Sequence, residues 1–301
     1  MKTRTLVVVA VALMLAFPAT EGFTAEWHQL VETVGTHGSI NWSEGIITAT
    51  GIGTPPEKYY GKPQARPMAL RAAQLDAYRN LLEVTRGVRV DSTTVVRDSM
   101  VESDVIRSQV EGMVKGAQTV KKEYLSDGTV EVTVAMDLRG GFAQLILPKD
   151  IKQVPEIKTI SPALPAPPMV GDAPVPPTPV PTTPTPAPTI FTGLVVDASG
   201  LNARPAMSPK IFDENEQEVY GSGYVSREFA VQQGMAGYAR DMTAAQSNPR
   251  VTNEPFTVKG LRTEGPGRSN VVISNADAGK IRSASENLSF LKKCRVMIVL
   301  D

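Results

Sequence analysis

The sequence is poor in the side chains that carry most catalytic chemistry. Its 301 residues include a single cysteine, Cys294, and two histidines, His28 and His37. A lone cysteine excludes an intrachain disulfide, and without a histidine nearby it is not expected to act as a reactive thiolate. We therefore interpret Cys294, which precedes the apolar run 296–300, as a small buried residue at the edge of a strand.

Signatures of metal and cofactor sites are missing as well. A zinc site normally takes three or four ligands, so the two histidines fall short of one. A strand runs into Gly51-x-Gly53, but Pro56 stands where a dinucleotide fingerprint needs its third glycine. A Ser208–Lys210 dyad is formally possible but belongs to no motif. We therefore predict no catalytic residue, no cofactor and no bound metal.

Net charge and long apolar runs are also absent. Lysine plus arginine equal aspartate plus glutamate at 31 each, so composition gives no overall attraction to nucleic acid. After a basic start, the uncharged run 6–17 is shorter than the roughly 20 residues that cross a bilayer. The pattern predicts a secretory signal peptide over 1–22, cut after Gly22 or near Ala25. No cysteine lies near the cut, so we expect a periplasmic chain without a direct lipid anchor.

What the sequence does contain begins with a long amphipathic helix over 66–87. Its apolar residues recur at the spacing of one helical face. They are Leu70, Ala73, Ala77, Leu81 and Val84. Pro67 suits a first helical turn, and Gly87 suits the left-handed position just past a helix end.

The segments around this helix have strand and helix patterns that complete a domain over 23–150. Strands are predicted at 44–53, 88–96, 117–125 and 129–138. The last two form a hairpin, because Asp127-Gly128 is a preferred two-residue turn. Ser103 is predicted to cap a second helix. Helices packed on one face of a mainly antiparallel sheet would bury every apolar stripe, which indicates an α+β domain.

The stretch from 151 to 189 differs abruptly in composition. More than half of the 24 prolines lie here, interleaved with threonine, alanine and valine. Such a chain favours an extended polyproline form over a helix or a sheet. We predict a disordered linker, which is either a passive tether or a spacer that holds two domains apart.

A second α+β domain is predicted over 190–301, again with helices on a mainly antiparallel sheet. Strand patterns occur at 194–196, 210–212, 218–220, 256–261, 270–274 and 295–300, and helical patterns at 231–245 and 277–288. Gly234 and Gly237 weaken the first of these helices by about 1 kcal/mol each relative to alanine. The final strand predicts an ordered C-terminus.

Residues 44–140 resemble the Lpp-twenty lipoprotein domain family. The matching residues are Ile47, Ala49, Gly51, Gly53, Ala72, Ala73, Asp76, Ala77, Asn80, Leu81, Gly87, Val88, Gly116, Tyr124, Asp127, Gly128, Val130 and Val132. Relatives include flagellar basal-disk and flagellar assembly proteins. The resemblance implies an envelope protein, often at the inner side of the outer membrane, that works by assembly. The lipid-bearing cysteine of the lipoprotein members is missing here, and the proline-rich stretch and C-terminal domain are additional.

The leading hypothesis is an exported, non-enzymatic envelope protein that acts in assembly or scaffolding. We expect it to lie at the periphery of the outer membrane and either to have protein partners or to self-associate. If the resemblance to the flagellar relatives reflects a shared role, it is also associated with the flagellum. One alternative is a periplasmic hydrolase that uses carboxylates. Another is a small-ligand module in the C-terminal domain, whose aromatic residues would line a pocket. These are Tyr220, Tyr224, Phe229 and Tyr238, for which a core role is the simpler interpretation.

Overall fold

A computed structural model describes residues 28–151, 191–283 and 285–301. The predicted signal peptide and all of the predicted linker except Ile151 lie outside the described residues. Within the described ranges, none of the helices has both the length and the apolar character that a bilayer crossing requires.

The first domain has helices on an antiparallel five-stranded sheet. Its strands are β1 (Val31–Val34), β2 (Gly38–Asn41), β3 (Ile46–Gly53), β4 (Gln118–Tyr124) and β5 (Val130–Asp137). The spatial order is β1-β2-β3-β5-β4, and every pairing is antiparallel. The helices are α1 (Ala65–Arg86), α2 (Val96–Glu102), α3 (Asp104–Lys115) and α4 (Gly141–Ile146), with a 3-10 turn at Glu57–Tyr59. The predicted α+β class is confirmed here.

Helix α1 lies directly on β3, and small residues make this contact possible. The α1 face that the sequence predicted is buried at Ala73, Ala77 and Leu81, with Ala69 extending it towards the helix start. A β-carbon added at Gly51 would lie 2.0 Å from the Ala77 backbone nitrogen. The two backbones are therefore too close for any side chain at that position.

Two local predictions in the first domain are wrong. Gly87 has φ −84° and ψ −7°, so it is not left-handed as expected. The segment 88–96 is not a strand, because Asp91 accepts hydrogen bonds from the Thr93 and Thr94 amides and folds the chain into a turn. Arg89 and Val95 form only an isolated bridge. Ser103, by contrast, caps α3 as predicted, accepting from the Ile106 amide.

The second domain has a seven-stranded mixed sheet. Its strands are β6 (Gly193–Asp197), β7 (Ile211–Phe212), β8 (Glu218–Tyr220), β9 (Gly237–Ala239), β10 (Pro255–Glu264), β11 (Asn270–Ile273) and β12 (Val296–Val299). The order is β8-β7-β11-β10-β6-β12-β9, and β6 pairs in parallel with both β10 and β12. The domain is α+β as predicted. The expectation of a mainly antiparallel sheet is wrong here. Helical connections bring the chain back to the end of the sheet at which β6 begins, so that β10 and β12 run parallel to β6.

The helices of this domain are shorter than the sequence patterns indicated. They are α5 (Arg227–Gln233), α6 (Met242–Gln246), α7 (Asn275–Arg282) and α8 (Ser285–Lys292). The predicted helix 231–245 is therefore wrong. Gly234 ends α5 at φ +82°, and β9 follows before α6 begins. The predicted helix 277–288 is divided between α7 and α8. The last strand lies inside the sheet between β6 and β9, which confirms the ordered C-terminus.

The two domains are in direct contact, and their buried apolar residues form one connected cluster. Leu30 and Trp42 of the first domain belong to the same cluster as Tyr238 and Ile298 of the second. The interpretation of the proline-rich segment as a spacer that holds the domains apart is therefore wrong.

Candidate functional site

A concave site lies where the two domains meet. A small cavity of about 60 Å³ opens between the ends of β2, β3 and β5 on one side and α5 and β9 on the other. Its lining includes Trp42, Arg139, Ala206, Tyr238 and Arg250. This volume holds a few water molecules but no drug-sized ligand.

Backbone hydrogen bonds join the domains at several separate points. The Met207 and Ser208 amides donate to the carbonyl oxygens of Arg89 and Val90 at 3.0 and 2.7 Å. Three further backbone amides donate to carbonyl oxygens across the contact. They are Gly140 to Val231 at 2.8 Å, Arg240 to His28 at 3.1 Å and Gly267 to Ser92 at 2.7 Å. Because these bonds involve different loops around the contact, they fix the relative orientation of the domains.

A charged cluster at one side of the contact strengthens this connection. Arg89 forms an ion pair with Glu32, and its Nε donates to the Pro205 carbonyl at 2.7 Å. The Trp42 indole nitrogen donates to Glu32 at 2.9 Å, and Arg204 reaches the same carboxylate at 3.6 Å. Burial would raise the pKa of Glu32, but the hydrogen bonds from Arg89 and Trp42 outweigh it and hold the pKa below its usual value.

Aromatic packing continues from this cluster into the second domain. The Trp42 and Tyr238 rings meet edge to face with centroids 6.0 Å apart, and the Arg89 guanidinium lies 5.7 Å from the Trp42 ring centre. The Tyr238 hydroxyl donates to the Ala206 carbonyl at 2.7 Å, and the Ser43 hydroxyl donates to the Tyr238 carbonyl at 2.7 Å. Burial raises the pKa of Tyr238 far above neutrality, so this phenol stays protonated and serves as a hydrogen-bond donor.

Arg250 extends from the second domain to the cavity, and backbone oxygens hold it. Its guanidinium donates to the carbonyl oxygens of Gln233, Gly234 and Cys294, the last two at 3.1 and 2.8 Å. Burial lowers the pKa of Arg250 from its ordinary value. On the other side, Arg139 pairs with Asp137 through two contacts at 2.9 and 3.0 Å. Both arginines are thus engaged in holding the surrounding chain.

The residues considered for chemistry from the sequence do not come together. Among residues 28–151, 191–283 and 285–301, no three histidine, cysteine or acidic side chains are grouped to hold a metal ion. His28 pairs with Asp241, whereas His37 contacts Thr36. Lys210 pairs with Glu218 at 3.0 Å. The Ser208–Lys210 dyad has no support from these contacts.

Cys294 is buried, as predicted, just before β12. Burial raises its pKa to about 11, although a hydrogen bond with Tyr220 and the nearby Arg250 charge act in the opposite direction. A thiol with this pKa is almost fully protonated at neutral pH and is a poor nucleophile.

The aromatic residues proposed for a ligand pocket are dispersed. Tyr220 and Tyr238 are buried in the core, and the Tyr220 hydroxyl donates to the Met235 carbonyl. Phe229 is partly buried against the core, while Tyr224 is 37% exposed. The four rings therefore do not line one cavity.

The sequence did not reveal the cluster that joins the domains. Glu32, Trp42 and Arg89 lie far apart in the chain, and their partners Pro205 and Tyr238 belong to the other domain. The isolated Trp42 in a polar stretch was the only hint, because a buried indole needs an acceptor for its N–H group.

Comparison with known proteins gives a match to a family model. Residues 193–301 match the model of a family described as Treponema pallidum Tp0624, second domain. The matched region corresponds to the described second domain from the start of β6 onward, and the chain is similar to that family over this region. No curated protein matches the chain.

Proposed function

We propose that this chain is an exported, non-enzymatic protein of the bacterial envelope that acts in assembly or scaffolding. The contact between the domains is the observation that supports this proposal. Its arginines, its buried tyrosine and its backbone groups are all engaged in holding one domain against the other. A unit of this kind presents fixed surfaces to other proteins instead of a cleft for a substrate.

The proposed location is the periplasm, peripheral to the outer membrane. This follows from the predicted signal peptide and from the resemblance of 44–140 to the Lpp-twenty family, which also suggests association with the flagellum. The similarity of 193–301 to a domain of a bacterial protein is consistent with such a setting. The expected partners are envelope proteins or further copies of the same chain.

Crosslinking in intact cells tests this proposal. A photoreactive residue would replace Leu75 or Val101, which are 61% and 71% exposed in the first domain. The exposed polar residue Asp104 serves as a matched control position. We expect a reproducible crosslink to one envelope protein or to a second copy from the apolar positions.

A monomeric mature chain in light scattering, together with no crosslinked partner at any position, would contradict the scaffolding role. Release of soluble fragments from purified peptidoglycan would instead support the hydrolase alternative. A thermal shift with a small molecule that depends on the second domain would support the ligand-binding alternative.

A further inference from the structure

The end of the first domain that lies away from the second domain forms a distinct surface. This surface, called the tip below, comprises the connection 54–64, the first turn of α1 and the β4–β5 turn with its flanking residues 124–129. Gly53, Val130 and Tyr124 share one row across the sheet. The opposite end of β3 adjoins the cavity between the domains. At about 3.3 Å per strand residue, the tip is about 25 Å from that contact.

Large apolar side chains of the tip are exposed. The exposed fractions are 57% for Tyr60, 51% for Tyr124, 43% for Leu125 and 39% for Met68. Single exposed apolar residues are common on protein surfaces, but several on adjoining loops at one end of a domain indicate an interaction surface.

Cationic side chains accompany these aromatic and apolar groups. The ammonium groups of Lys58 and Lys62 lie 5.0 and 5.7 Å from the Tyr59 ring centre, and the Arg66 guanidinium lies 5.6 Å from that of Tyr124. None of these three cations forms an ion pair with a carboxylate in the part of the chain that the structure describes.

The tip contains two acidic residues, Glu57 and Asp127, against its three cations. Glu123 pairs with Lys121 at 2.9 Å. The Asp127 carboxylate accepts from the Thr129 amide and hydroxyl at 2.8 and 2.9 Å. Glu57 is next to Lys58 in the 54–64 connection. Hydrogen bonds from Thr129 leave the Asp127 carboxylate charged, so the three cations exceed the two carboxylates by one. The tip is weakly cationic, whereas the whole chain has a formal net charge of zero.

We propose that the tip docks on an anionic phospholipid surface. Lys58, Lys62 and Arg66 would lie among the headgroup phosphates, and Tyr60 and Leu125 would reach the boundary with the acyl chains. Tyrosine suits this level because its ring is apolar and its hydroxyl stays hydrated. Charge complementarity favours a lipid surface, since each basic residue near an anionic membrane increases binding about fivefold. This inference depends on the geometry of the tip and not on the proposed function.

Sedimentation of the mature chain with lipid vesicles tests the proposal. The vesicles contain either phosphatidylcholine alone or phosphatidylcholine mixed with phosphatidylglycerol. We expect binding to the mixed vesicles only, weakened by added salt. The double variant Lys58→Glu/Lys62→Glu should bind at least about 25-fold more weakly, because two attractive contacts are lost. Tyr60→Ser/Leu125→Ser should weaken binding by about tenfold through lost apolar burial.

Matched control variants lie on β10 of the second domain. Lys259, Leu261 and Arg262 are exposed there. Lys259→Glu/Arg262→Glu therefore repeats the double charge reversal away from the tip, and Leu261→Ser repeats the leucine part of the apolar change. Their binding should equal that of the unmodified chain. Circular dichroism would verify that every variant is folded.

Three results would overturn the proposal. The first is no binding to the mixed vesicles, and the second is equal loss in tip and control variants. The third is binding that depends on salt but not on Tyr60 and Leu125, which would indicate only diffuse charge attraction. None of these results would affect the scaffolding role, which is tested by crosslinking at other positions.

Discussion

The sheets of the two domains differ in the kind of strand pair that predominates. In the first domain every strand pair is antiparallel, and the hairpins β1–β2 and β4–β5 join strands that are neighbours in the chain. In the second domain the central strand β6 pairs in parallel with β10 and β12, which follow it by about 60 and 100 residues. Antiparallel neighbours need only a turn, whereas parallel neighbours need a crossover. Sequence patterns therefore predict the β4–β5 hairpin but not the parallel pairing of β6. They nevertheless locate six of the seven strands of the second sheet and miss β1 and β2 of the first.

The most direct way to break the first domain is to separate α1 from β3. In Gly51→Val, the new side chain would overlap the Ala77 backbone, which cannot move without displacing the helix. We expect the free energy of unfolding to fall by more than about 3 kcal/mol. Urea denaturation followed by circular dichroism measures this change.

Gly112→Ala on α3 is the control for that variant. A β-carbon there meets no neighbouring atom within 4 Å, so alanine should stabilise the helix by about 0.5–1 kcal/mol. Equal stability of Gly51→Val and the unmodified chain would show that α1 does not rest on β3 as described.

Arg89→Met tests the ion pair that supports the contact between the domains. The substitution leaves Glu32 partly buried without its main partner and removes the bond to the Pro205 carbonyl. We expect a loss of about 2 kcal/mol in the free energy of unfolding. Arg107→Met removes an exposed pair with Asp104 and should change stability by less than about 0.5 kcal/mol.

The same variant should also change the dependence of stability on pH. The folded-state pKa of Glu32 lies below its usual 4.5, so its stabilising effect is complete above that pH and is lost as the pH falls through the folded-state value. The stability difference between the unmodified chain and Arg89→Met should therefore shrink below about pH 4.5. A difference that stays constant down to pH 3 would contradict the assigned role of this pair.

The smallest expected effects come from removing one helix cap in each domain. Ser103 accepts from the Ile106 amide at 3.4 Å in the first domain, and Ser274 accepts from the Asp277 amide at 3.0 Å in the second. Each serine to alanine change should cost about 1 kcal/mol. Ser274→Ala should cost more, because Ser274 also donates to the Asp277 carboxylate at 2.8 Å. Thermal unfolding of both variants measures the difference.

Much of the fold was predictable where a local signal fixes it. The α1 face, the Asp127-Gly128 hairpin and the Ser103 cap depend on residues close in sequence. The 88–96 segment was not predictable from its β-branched residues, because one carboxylate, that of Asp91, decides its conformation. The helix expected at 231–245 failed because its apolar spacing is shared by two short helices with a strand between them.

The contact between the domains could not be predicted at all. The partners of Glu32, Trp42 and Arg89 come from a domain that follows a long proline-rich segment, and no spacing rule connects them. The proline content described a segment that could separate the domains. It gave no information on whether the domain surfaces attract each other.

Simultaneous detection of unfolding in both domains tests most directly whether they form one unit. Cys294 reports on the second domain through thiol labelling, since it is buried. A cysteine introduced as Val132→Cys in a Cys294→Ser background reports in the same way on the first domain, since Val132 is buried in β5. We predict that both thiols become exposed at the same urea concentration. Labelling of Cys294 at a clearly lower urea concentration than the thiol at position 132 would contradict a single two-domain unit.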